Sequence, residues 1–121
     1  MYCTPSETIL KNDIPKTKKA QIAVLSPKNE KDFLVRKIKI TAGGSMPNHT
    51  NLIQHQQYVL CGEAKVVIAD ETIHAKAGDF IYIPAGVAHY YEACYDQDYE
   101  FLCMITTQED SITMVNQTLC C

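Results

Sequence analysis

Turn formers punctuate this chain about every 8–12 residues, and no stretch between them holds a helical period for three turns. That spacing limits the fold more than any other feature. Residues 20–25 (Ala-Gln-Ile-Ala-Val-Leu) read as a short strand, followed by a turn over 26–32 built of Ser, Pro, Asn and charged residues. Residues 33–40 place Leu34, Ile38 and Ile40 on one face and Lys37 and Lys39 on the other, the pattern of a strand with one wet side. After Gly43 and Gly44 the short strands continue, at 56–61, 64–69, 72–75, 80–83, 87–93 and 99–106, with a further short one at 112–115. Gly62, 70–71, 78–79 and 84–86 supply the turns. The fold class is therefore all-β, a sandwich or a barrel.

A chain of 121 residues fits one domain, and 46% hydrophobic residues give it a small core. Residues 1–19 carry few periodic apolar positions and contain Pro5 and Pro15, so they read as an N-terminal arm, with Ile9, Leu10 and Ile14 as docking candidates. Residues 20–121 form the single domain. The net charge of −3 offers nothing to nucleic acid or to an acidic membrane. No apolar run is long enough to span a bilayer, and no export signal is visible, so a cytoplasmic location is expected.

The six cysteines form no CxxC pair, which argues against a zinc knuckle. Cys61 and Cys103 lie in apolar runs and read as small buried hydrophobes. Cys120 and Cys121 form an exposed tail open to intermolecular oxidation.

Three of the four histidines carry the chemistry. His49 and Asn51 are two apart, so in a strand both face one side. His55 opens the next strand, and His89 follows the Pro84-Ala85-Gly86 bend. A single histidine in such a place is usually an ordinary buried side chain with one hydrogen bond. Three, framed by glycines that permit tight turns, favour a metal centre. His74, beside Lys76 and without those glycines, reads as a surface residue.

These residues resemble the two motifs of the cupin superfamily. The first reads G-x5-H-x-H-x3,4-E-x6-G, and Gly43, His49, Asn51, His55 and Gly62 match its spacing. The second reads G-x5-P-x-G-x2-H-x3-N, and Gly78, Pro84, Gly86 and His89 match it, with Ala93 in place of the final Asn. The resemblance implies a double-stranded β-helix, the cupin jelly-roll barrel. It also implies that His49, His55 and His89 are metal ligands, as in the small single-domain four-histidine cupins. The departures are Asn51 in place of a histidine and His55 in place of the glutamate. Asn51 is then a weak carbonyl ligand or the holder of a metal-bound water. Cupins of this kind use Mn, Fe, Ni, Cu or Zn, and imidazole does not choose among the transition metals.

Three neutral imidazoles leave the full charge on a divalent ion, which favours an anionic chelating substrate such as an enolate or carboxylate. Parity with His55 and His89 turns Gln57 and Tyr91 toward the same lumen, as candidates to orient water or substrate, with core packing the competing role for Tyr91. Met46 could equally line the mouth or make a loop contact, Tyr58 should face outside, and Cys103 should be a buried, inert thiol. Three readings stand: a metal-dependent oxygenase, or a related lyase or isomerase, acting on a small polar molecule, with no acidic base in either motif; a non-catalytic binding or sensing module; and a degenerate cupin without metal. The resemblance further implies a homodimer, with residues 9–25 able to cross to the partner.

Overall fold

The structure is a computed structural model that describes residues 2–107 and 112–115. A short 3-10 turn at Ser6–Thr8 precedes β1 (Asn12–Asp13) and β2 (Lys18–Val24). Then come β3 (Phe33–Asn51), β4 (His55–Cys61), β5 (Glu63–Ile68), β6 (Glu71–Lys76), β7 (Phe80–Ile83) and β8 (His89–Ala93). β9 (Tyr99–Thr106) and β10 (Ile112–Met114) complete the described elements. Every pairing is antiparallel, in the order β6-β5-β8-β3-β9-β4-β7, with β2 and β10 also on β3 and β1 on β2. The sheet curls into the jelly-roll barrel expected from the strand spacing.

The long strand β3 makes the curl. Its first half pairs with β2 and β9 as far as Ile40, and its second half pairs with β8 from Ser45. Gly43 (φ +76°) and Gly44 sit at the corner. Here the sequence expectation of a strand over 33–40 is corrected: the glycines bend one strand of 19 residues rather than end it. A Cβ on Gly44 would lie 2.5 Å from the Lys18 carbonyl oxygen, so the close crossing of β2 over β3 requires glycine there.

Inward residues form the core, with Ile40, Val59, Val66, Tyr99, Phe101 and Cys103 fully buried. β4 shows the alternation plainly: His55, Gln57 and Val59 are buried, while Gln56 and Tyr58 are exposed. Lys37 and Lys39 face outward, where they pair with Glu100 (3.5 Å) and Asp98 (3.5 Å). Cys61 is a second correction. It is exposed at the end of β4 and donates to Glu100 Oε2 at 3.0 Å, because the alternation breaks at its bulge opposite β9.

The arm folds back on its own barrel. Ile14 packs against the core, Ile9 is half-buried and Leu10 is 77% exposed, so only one of the three docking candidates reaches the core. No helix among the described residues is long and apolar enough to cross a membrane. Cys120 and Cys121 lie outside the described residues.

Candidate functional site

Three strands bring the sequence-predicted residues to one place. β3 supplies His49 and Asn51, β4 supplies His55 and Gln57, and β8 supplies His89 and Tyr91; all six are buried. They line one cavity of about 150 Å³. The rest of the lining is mostly apolar, with Ile22, Ile38, Met46 and Phe101, Ile14 and Pro15 from the arm and Ile112 from β10, beside Asp13 and Arg36. Met46 takes the lining position, and Tyr58 points outside. His74 is exposed and holds Glu63 Oε1 at 2.6 Å on the surface. The Glu63 carboxyl is held below its usual range by that bond and by Gln97.

His49 and His89 are direct cross-strand partners, with ring centres 4.2 Å apart. His55 stands farther off, 6.3 Å from His89. His49 Nδ1–H donates to the Pro47 carbonyl at 2.7 Å, and His89 Nδ1–H donates to the Val87 carbonyl at 2.9 Å. A carbonyl only accepts, so both protons sit on Nδ1 and the neutral rings carry their lone pairs on Nε2. His55 Nδ1 lies 3.5 Å from Cys103 Sγ, a contact in which either atom can donate. The donor chemistry therefore fits a divalent transition ion, with an amide at Asn51 beside it. The spacing is looser than the chemistry: among the described residues no group of three or more His, Cys, Asp or Glu side chains is arranged to hold an ion.

Gln57 and Tyr91 meet as their parity implies. Gln57 Nε2 donates to Tyr91 Oη at 2.6 Å. Burial, then the neighbouring Cys103, pushes the Tyr91 phenol far above its ordinary value, so it stays protonated across any physiological pH. Its ring stacks on Phe101, with centres 5.4 Å apart.

One residue escaped the sequence reading. Arg36 is the only arginine in the chain, and it lines the same cavity. Its parity with Ile38 and Ile40 turns it inward, a signal that was available. Cys103, expected to be an inert thiol, lies between Arg36 and His55 and accepts from Arg36 Nη2 at 3.1 Å.

Comparisons with known proteins agree with this architecture. The cupin-domain family model matches residues 36–105, more than half of the chain. No curated protein matches the chain. Among solved structures, the polyketide cyclase RemF from Streptomyces resistomycificus superposes with a TM-score of 0.89 at 22% identity, covering 98% of this chain and 87% of that one. A cupin-2 domain from Rhodospirillum rubrum gives 0.82 at 19% identity, over 97% and 80% of the two chains. A predicted oxalate decarboxylase from Thermotoga maritima gives 0.74 at 24% identity, over 94% and 100%. At these identities the likenesses concern the fold, and with the family match they lead to one conclusion: the chain belongs to the cupin family.

Proposed function

We propose that this cupin is a metal-dependent enzyme of oxygenase type, acting on a small, partly apolar molecule that carries an enolate or carboxylate. The observation that supports it is the set of three buried imidazoles, from three strands, opening on one largely apolar cavity. A bound divalent ion would supply Lewis acidity and a docking point for substrate oxygens. His49, His55 and His89 would hold it, and the Pro47 and Val87 carbonyls fix two of those rings in the ligating tautomer. Asn51 stands beside them as a weak or water-mediated donor.

The protein's own groups shape the reaction. Ile22, Ile38, Met46 and Phe101 exclude water from part of the substrate. Tyr91, kept neutral, orients the Gln57 amide rather than removing a proton. Asp13, exposed at the rim, is the one carboxylate among the described residues that line the cavity. A site without a buried carboxylate base favours oxygen chemistry over proton abstraction.

The whole-chain likeness to a polyketide cyclase supports a second reading, ring closure of an enolate. The cavity argues against a multi-ring substrate lying inside it, since about 150 Å³ is the space taken by one benzene-sized ring. The test is an anaerobic titration of Co(II)- and Fe(II)-loaded protein with pentane-2,4-dione, followed by admission of air. The proposal expects a change in the visible spectrum on titration and oxygen uptake with the iron form. A spectral change without oxygen uptake favours the second reading. No spectral change at all contradicts both, and leaves binding without metal chemistry.

A further inference from the structure

Arg36 is a half-buried cation that lines the cavity. Apart from the histidines, all the other basic residues of the chain are lysines. Arg36 and Cys103 are cross-strand partners on β3 and β9, and Cys103 and Gln57 are partners on β9 and β4, so the three form one inward row beside the cavity. The next position along β4 on the same face is His55.

The polar groups of this row are under-used. Of the five N–H donors of the guanidinium, Nη2 reaches only a thiol sulfur, a weak acceptor. Arg36 Nε is buried without a hydrogen-bond partner, and no carboxylate among the described residues pairs with Arg36. Asp13, at the rim of the same cavity, instead accepts from Gln21 Nε2 at 3.1 Å. Gln57, 1% exposed, has its Oε1 buried and also without a partner. Arg36 as a residue is half-buried, but a guanidinium N–H kept out of solvent without an acceptor costs free energy, so an anion that reaches it is favoured at that point. The planar fork of arginine matches a carboxylate as the point charge of lysine does not.

We infer that Arg36, with the Gln57 amide beside it, is the specificity-determining end of the cavity and receives a carboxylate of the substrate. This rests on the proposed reading of the cavity as a substrate site and names its substrate class: a carboxylate on a body no larger than about one ring, with its second oxygen-bearing end toward the histidines. The Gln57 oxygen suits a hydroxyl or enol proton next to that carboxylate.

The test uses metal-free protein at pH 8, with benzoate as probe and benzamide as its neutral analogue. With one arginine in the chain, ¹⁵N-labelled protein gives a single arginine Nε–H resonance. Benzoate should shift that resonance and bind at least about tenfold more tightly than benzamide, the discrimination expected of a hydrogen-bonded charge. Arg36→Gln should make the two ligands equal through a loss of benzoate affinity. Equal affinities in the wild type, an unmoved Nε–H resonance, no benzoate binding, or a preference that survives Arg36→Gln each overturn the inference. If Arg36→Gln does not fold, the two wild-type measurements decide alone. A Cys103 thiolate occupying the guanidinium would show as absence of benzoate binding. Metal uptake is measured separately. Protein that prefers benzoate but takes up no metal keeps Arg36 in this role and removes the metal reading; the reverse result removes Arg36 only.

Discussion

His49 and His89 stand opposite each other in the β3–β8 ladder with ring centres 4.2 Å apart, and each donates its Nδ1 proton to the carbonyl two residues before it. The backbone thereby sets the tautomer of both rings, and a metal approaching Nε2 competes with protons for those lone pairs. An ordinary imidazole titrates at about pH 6.5. Below that, each ligating ring must lose a proton to bind metal, so affinity for Zn(II) should fall as pH drops, by more than one decade per pH unit where several rings ligate. Competition titrations between pH 5 and 8 measure the slope. A slope of one decade or less would reduce the site to one imidazole.

The bond from Gln57 to Tyr91 joins two buried groups on β4 and β8. Tyr91→Phe removes the acceptor and leaves the amide with only a distant sulfur, at 3.9 Å. The expected loss is about 1–3 kcal/mol in urea unfolding. Tyr91→Ala also removes the stack on Phe101 and should cost about 3–5 kcal/mol. Equal losses for the two variants would mean that the hydroxyl carries the whole effect.

Tyr99 is fully buried and its hydroxyl has no partner among the described residues. Burial, then the charge of Asp79, pushes its phenol well above the usual value near 10. Above about pH 10 the unfolded chain releases this proton and the folded chain keeps it, so stability falls by about 1.4 kcal/mol per pH unit from this group. Tyr99→Phe should be at least as stable as the wild type at pH 7 and lose that part of the alkaline decline. Denaturant titrations at pH 7 and pH 11 check both halves.

Gly62 and Gly78 form a matched pair for backbone effects. Both have positive φ, +79° and +92°. A Cβ on Gly62 would collide with the Asp98 carbonyl oxygen, whereas one on Gly78 meets nothing within 4 Å. Gly78→Ala should cost about 1–2 kcal/mol, the left-handed penalty alone. Gly62→Ala should cost clearly more, and thermal melts of the two variants give the difference.

Much of the barrel was legible because its turns are chemically marked and its strands alternate. The path of β3 was not. Gly43 and Gly44 look locally like a break, but pairing to β8 and β2, distant in sequence, carries the strand through them. The three histidines, Gln57 and Tyr91 were placed by motif spacing and parity, and the structure brings them to one cavity. Arg36 was not legible from its charge, because a charge in a strand ordinarily marks its wet face, whereas here the inward parity of β3 carries one to the cavity. Ile14, Pro15 and Ile112 could not be foreseen in the cavity wall, since they arrive from either end of the chain. Cys61 was misplaced because an apolar run does not reveal the bulge that turns its last residue outward.

The central claim is that His49, His55 and His89 together hold a transition metal. Elemental analysis of protein purified without an affinity tag, after equilibration with Zn(II) and gel filtration, tests it most directly. The wild type and His74→Ala should each hold about one ion per chain, and His49→Ala, His55→Ala and His89→Ala should each lose at least about tenfold in affinity. Wild-type protein with far less than one ion per chain, or a metal content that His89→Ala leaves unchanged, would contradict it.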